Sequence, residues 1–219
     1  MKVETYFQKT AKEFDSLYDQ RSNWQYYFNR LLRRGLYERV HGAIREMENL
    51  KDFTVLDVGC GSGRNSIAYA EAGARHVVGI DFAQNMLDLA GDLSQALGVS
   101  AKCEFLKGDF LTYPFEERFD VVAALGVFDY VADPQPFLQR MVETARVKVI
   151  ASFPRMSLVR GSQRKVRYAL KGCPLYFYTH RQLVDICRII GLTDYDLVAG
   201  PSSGFILIGR INPLLAKAS

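Results

Sequence analysis

Paired cysteines, long apolar runs and, over one broad window, acidic side chains are what this 219-residue sequence lacks. Its four cysteines, Cys60, Cys103, Cys173 and Cys187, stand far apart with no C-x-x-C pair. That argues against a disulfide framework or a zinc site and suits a reducing compartment. No apolar run approaches the roughly 20 residues that a membrane-spanning helix needs, and the opening Met-Lys-Val-Glu-Thr has no apolar signal core, so a cytoplasmic protein is expected. From Thr144 to Val184 there is no Asp or Glu, while nine Lys and Arg fall in that window: Arg146, Lys148, Arg155, Arg160, Arg164, Lys165, Arg167, Lys171 and Arg181. Of 28 basic and 24 acidic residues in all, 19 and 24 lie outside it, so the net +4 divides into +9 and −5. Such a concentration attracts anions. Internal repeats and low-complexity tracts are also missing, and the length is that of one domain with a full core.

What is present centres on Phe53–Gly63, F-T-V-L-D-V-G-C-G-S-G. Val55, Leu56 and Val58 fit a buried parallel strand. Gly59, Gly61 and Gly63 free the following turn for positive φ or for close approach of a ligand. From Arg64 the pattern becomes helical. A strand, a glycine turn and a helix start together make a nucleotide-type loop with backbone N–H groups aimed at the ligand. The dinucleotide fingerprint G-x-G-x-x-G is not met, because the sixth position is Arg64. Asp57, two residues before the first glycine, would repel a pyrophosphate and attract a cation such as an amino-acid ammonium. Asp81 ends a second strand, His76–Ile80, and lies 22 residues after Gly59, where an acid can accept from both ribose hydroxyls.

The D-V-G-C-G-S-G stretch closely resembles the first motif of class I S-adenosylmethionine (SAM) dependent methyltransferases. The resemblance covers about Leu50 to Ile211 and leaves the N-terminal helices outside. It implies an α/β fold: a doubly wound, mostly parallel seven-stranded sheet with helices on both faces and the last strand antiparallel. It also implies SAM as cofactor, with Asp57, Gly59, Cys60, Gly61, Gly63 and Asp81 at its site. The residue after the second acid, Phe82, would lie near the adenine, with Met86 one helical turn on as an apolar contact; core packing is the alternative for both. Gly108-Asp109-Phe110 resembles the acidic motif in which the side chain accepts from the adenine amino group and the next N–H contacts the ring. The alternative is a turn aspartate bonding its own backbone. After a fourth strand, Phe119–Ala124, the segment Leu125-Gly126-Val127-Phe128-Asp129-Tyr130 resembles that of small-molecule methyltransferases, in which Leu125 and Gly126 approach the cofactor. Asp129 is a candidate acid/base or substrate-orienting group, or else a turn cap, and Tyr130 is a candidate substrate contact. No N-P-P-Y, D-P-P-Y or Pro-Cys motif of nucleic-acid methylation occurs.

Further helices are read at Gln84–Leu97, Pro134–Thr144 and after Thr179, where Thr179 and Gln182 form a capping box. A third strand is read at Cys103–Leu106, a fifth at Val147–Ser152, and two closing strands at Thr193–Ala199 and Phe205–Gly209. Residues 1–49 form a helical extension with a second helix starting at Ser22. It either packs on the sheet or closes over the cofactor as a lid that presents aromatics such as Tyr18 and Trp24. Residues 50–211 form the SAM-binding domain, with a cap insertion at 153–178, and residues 212–219 form a tail. The insertion interleaves apolar and basic residues at helical spacing. It is a cap whose Arg155, Arg160 and Arg164 bind an anionic substrate, a surface resting on an anionic membrane, or a solvated face. Nucleic acid is not expected. His180, at the first helical position, is a candidate general base.

The expected function is methyl transfer from SAM to a small, anionic molecule at oxygen or nitrogen, with no metal. The layout is similar to small-molecule O-methyltransferases such as those of ubiquinone or magnesium-protoporphyrin synthesis. A SAM-binding sensor or non-catalytic subunit, and a nucleotide-dependent oxidoreductase, are the alternatives.

Overall fold

The computed structural model describes residues 38–156, 175–200 and 204–211. Residues 38–47 form helix α1. There follow β1 (Thr54–Val58), α2 (Arg64–Glu71), β2 (His76–Asp81), α3 (Gln84–Ala96), β3 (Cys103–Lys107), β4 (Phe119–Ala124), α4 (Pro134–Thr144), β5 (Ala145–Pro154), α5 (His180–Ile189), β6 (Tyr195–Gly200) and β7 (Gly204–Arg210). The seven strands make one sheet in the order β3-β2-β1-β4-β5-β7-β6. Pairing is parallel from β3 through β5. β7 runs antiparallel to both its neighbours. This is the doubly wound, seven-stranded sheet expected of a class I methyltransferase fold.

Side-chain alternation on the strands explains the two helical layers. Every residue of β1 is buried. Val55, with Val77, Val121 and Ile150, packs against Ala43 and Met47 of α1 and Tyr69 and Ala70 of α2. Leu56 and Val58 turn to the other face, where Leu138 and Met141 of α4 and Leu183 and Cys187 of α5 cover them. Covering both faces is why these strands read as continuous apolar runs. The chain winds outward from β1 to β3 and then returns to β4 on the other side of β1. The crevice at the carboxyl ends of β1 and β4 is therefore the topological switch point, where such sheets bind ligands.

The fifth strand is longer than its sequence suggested. Phe153 and Pro154 stay in the sheet because they pair with Phe205 and Gly204 of β7, so the chain leaves the sheet at Arg155 rather than at Phe153. Two cations of the acid-free window lie at the far end of this strand from the crevice. Lys148 Nζ donates to the Glu46 carbonyl at 2.6 Å and to its carboxylate at 2.9 Å, fastening α1 to β5. Arg146 pairs with Glu117 at 3.7 Å. The candidate lid aromatics, the helix start at Ser22, and Arg160, Arg164 and the rest of 157–174 lie outside the described residues. Among the described residues no helix is long and apolar enough to cross a membrane.

At the amino-terminal end of the central pair, Asp120 Oδ2 accepts from the Thr54 amide at 2.8 Å and its hydroxyl at 3.1 Å, and the Asp120 amide donates back to Thr54 Oγ1 at 3.1 Å. Asp120→Ala leaves the buried Thr54 amide unpaired. The expected loss is about 1–3 kcal/mol, read as a lower urea midpoint; an unchanged midpoint would mean that this lock carries no stability.

Candidate functional site

Three glycines shape the turn between β1 and α2, with φ of 66° at Gly59, 53° at Gly61 and 74° at Gly63. L side chains resist these angles, and neighbouring atoms close the same positions. A Cβ on Gly59 would come within 2.5 Å of Val127, and one on Gly63 within 2.7 Å of Ala90. The turn is thus moulded onto α3 and onto the loop after β4.

The turn's N–H groups do not point outward as the sequence reading had them. Gly59 and Cys60 donate to the Ile80 carbonyl at 2.8 and 3.2 Å, and Gly63 donates to the Cys60 carbonyl at 3.0 Å. Gly61 donates to Asp81 Oδ2 at 3.0 Å. With four donors consumed inside the chain, the turn is a poor cradle for a pyrophosphate. Three of the four go to backbone carbonyls, and the Asp81 carboxylate, at the end of the adjacent strand, takes the fourth. Its Oδ1 accepts from the Ala83 amide at 2.9 Å, which also fixes the entry to α3. Burial raises the Asp81 pKa, and the hydrogen bonds from Ala83, Gly61 and Phe82 work against that rise. Each carboxylate oxygen keeps a lone pair for a ligand hydroxyl.

Asp57 lies beneath the turn at 1% exposure. Its Oδ2 accepts from the Ser66 hydroxyl at 2.6 Å, while Oδ1 is buried with no hydrogen-bond partner. Burial lifts its pKa from 3.8 to about 7, opposed by the Ser66 bond and aided by the Asp81 charge. A buried carboxylate with a spare acceptor oxygen is an incomplete arrangement. A nearby cation completes it, and the ammonium of SAM fits that requirement where a phosphate does not. Ser66 was missed from sequence. Its signal was a small hydroxyl on the buried stripe of α2, among Ile67, Tyr69 and Ala70.

The remaining candidates fall into distinct places. Cys60 is a buried thiol, its pKa raised by burial and by the Asp57 and Asp81 charges. Met86 is buried, its terminal methyl 3.2 Å from where a Gly61 Cβ would lie; it packs with Ala83 and the partly buried Phe82. Asp109 is exposed and its Oδ1 accepts from the Leu111 amide at 3.0 Å, the self-capping turn. The Phe110 ring is buried against Phe137, with centroids 4.9 Å apart, so only its backbone is left to meet a ligand. After β4, the partly buried Leu125 packs on the α1–α2 face. Gly126, at φ 90°, donates to the buried hydroxyl of Ser152 at 2.9 Å. Ser152 is another residue missed in sequence, visible there only as one polar position ending a buried strand.

On the opposite side of the crevice Asp129 is 5% exposed. Its carbonyl accepts from the Tyr176 amide at 2.9 Å, and the Tyr130 amide donates to Val127 at 2.9 Å. His180 is exposed on the first turn of α5, where Thr179 and Gln182 form the expected capping box. His180 and Arg155 meet the same ring: the imidazole centroid lies 5.9 Å from that of Phe205, and the guanidinium carbon 5.8 Å from it.

A family model described as a methyltransferase domain matches residues 55–148. The chain is 35% identical over 144 residues to phosphoethanolamine N-methyltransferase 1 of Arabidopsis thaliana, covering 58% of this chain and 28% of that protein. It is 38% identical over 103 residues to the ubiquinone biosynthesis O-methyltransferase of Pseudomonas fluorescens, covering 46% and 44%. The chain spans less than half the length of these curated relatives. Among solved structures, it superposes on the magnesium protoporphyrin IX methyltransferase of Synechocystis PCC 6803 with bound SAH at a TM-score of 0.76 and 22% identity, covering 96% of this chain and 98% of that one.

Because Asp57 binds its proton more tightly in the folded chain than in the unfolded one, its contribution to stability is greatest below pH 4. It declines as pH rises to about 7 and is flat above that. Asp57→Asn removes the buried charge. In the ligand-free chain it is expected to raise the thermal midpoint at pH 8, with a smaller gain at pH 5. A lower midpoint at pH 8, or an equal gain at both, would contradict this electrostatic reading.

Proposed function

We propose that the chain is a class I SAM-dependent methyltransferase and that it transfers a methyl group from SAM to a small anionic acceptor at oxygen or nitrogen. The observation that carries the reading is the polarity of the β1–α2 turn: its donors are turned inward, and two carboxylates, Asp57 and Asp81, stand at the carboxyl ends of β1 and β2. That pattern suits a cationic nucleoside and disfavours a dinucleotide.

Bound SAM supplies an electrophilic sulfonium methyl. Asp81 accepts from the ribose hydroxyls with the lone pairs left by Gly61 and Ala83. Asp57, held by Ser66, balances the ammonium of the amino-acid end. Gly59, Gly61 and Gly63 give the close approach that a Cβ would block. Ser152 holds the Gly126 amide and so fixes the segment that runs from β4 to Asp129 and Tyr130. With the electrophile already activated, the protein's work is chiefly to hold the acceptor in line. An acceptor that must lose a proton would give it to Asp129 or His180.

The anionic character of the acceptor rests on the window without acids. Of its described members, Arg155 and Arg181 stand exposed where β5 ends and α5 begins, on the crevice side, whereas Arg146 and Lys148 are tied up at the other end. The same basic surface would serve for contact with an anionic membrane.

Calorimetric titration with SAM, and with its demethylated product SAH, tests the cofactor. Both should bind, and Asp81→Ala should weaken binding by about tenfold or more, the loss of a charge-assisted hydrogen bond pair. Folded protein that binds neither ligand, or that binds NAD in their place, would overturn the assignment.

A further inference from the structure

Resting on the methyltransferase reading above, we propose that the cleft between the start of α4 and the first turns of α5 is a subsite for a flat, uncharged, aromatic portion of the methyl acceptor. The cleft holds about 310 Å³, the lower end of the roughly 300–1,000 Å³ of small-molecule sites. It has room for a ring system and leaves the rest of a larger acceptor outside. Three consecutive aromatics, Tyr176, Phe177 and Tyr178, line it together with Pro134 and Ile186.

The aromatic wall is anchored to the crevice. The Tyr176 amide donates to the Asp129 carbonyl and the Tyr178 amide to the Pro154 carbonyl, each at 2.9 Å. The Tyr178 hydroxyl donates to the Val131 carbonyl, and its ring meets Phe153 edge-on at 5.4 Å. The strap 176–178 therefore crosses the carboxyl ends of both β4 and β5. It joins the cleft to Asp129, the buried carboxylate of the loop that leads from the cofactor side. Tyr178 is itself buried, and the half-buried Tyr176 and Phe177 beside it offer ring surface, which favours stacked or edge-on contact with another ring.

The charge of the walls decides which part of the acceptor enters. Among the described residues no Lys or Arg lines the cleft; its polar side chains besides the tyrosines are Gln182 and Asp185. Asp185 is held by Arg188 at 2.6 Å on the same helix. A carboxylate or phosphate entering here would find Asp185 already paired with Arg188 and, among the described residues, no lining cation to pair with. The anionic part of the acceptor must then point away, toward Arg155 and Arg181.

The test uses the full chain saturated with SAH and titrates two flat probes, 2-naphthol and 2-naphthoate, by ligand-observed NMR. Two variants fill the cleft independently: Ala132→Phe from its exposed rim and Ile186→Trp from the α5 side. The expected result is that 2-naphthol binds more tightly than 2-naphthoate and that each folded variant weakens it by about tenfold or more, with SAH affinity unchanged. SAH binding with no 2-naphthol binding would overturn the subsite alone. So would 2-naphthol binding that neither variant alters, or a preference for 2-naphthoate. Absence of SAH binding by the folded chain would overturn the methyltransferase reading and the subsite with it.

Discussion

One buried carboxylate with an unsatisfied oxygen sets the character of the whole site. Asp57 sits near the carboxyl end of the fully buried strand β1, under a turn that has spent its own donors on Ile80, Asp81 and Cys60. Among the described residues only Ser66 stabilises its charge by hydrogen bonding. The fold tolerates this because the covered sheet around it supplies the needed stability elsewhere. Local frustration of this kind is a mark of binding sites, and its sign selects a cation. A glycine turn alone would have left phosphate and sulfonium ligands equally open.

From that point the sheet distributes the remaining tasks by strand. The ends of β1 and β2 carry the acids, and the packing of Gly59 against Val127 joins that half to the loop after β4. Ser152 joins the same loop to β5, and the strap 176–178 ties both to the start of α5. A chain of aromatic contacts, Phe110–Phe137–Phe128–Phe153–Tyr178, runs beneath these loops from the third strand's end to the strap. The loop after β3 and the strap 176–178 thus rest on one packed layer. The relatives named for phosphoethanolamine N-methylation and for ubiquinone biosynthesis match 58% and 46% of this chain.

The strands and helices from β1 onward were legible because both faces of the sheet are covered and the turns are marked by Gly59, Gly98, Pro134 and Gly191. Legibility failed where the deciding contact was long-range. Nothing local says that Phe153 and Pro154 continue a strand; their partners Phe205 and Gly204 lie some fifty residues away. The turn amides were read as ligand donors because sequence shows glycines, and not that Asp81 would claim the Gly61 amide across twenty residues. The basic window was real in composition, yet Lys148 is committed to Glu46 and Arg146 to Glu117, which only the strand direction reveals.

The most direct measurement is the proton balance of SAM binding, obtained by calorimetry near pH 7 in two buffers of different ionisation enthalpy. With a carboxyl titrating at about 7 and a cationic ligand favouring its ionised form, about half a proton should be released per SAM bound. Asp57→Asn should abolish that release. SAM binding with no proton release, or a release that persists in Asp57→Asn, would contradict the central claim that the buried carboxylate is completed by the cation of the cofactor.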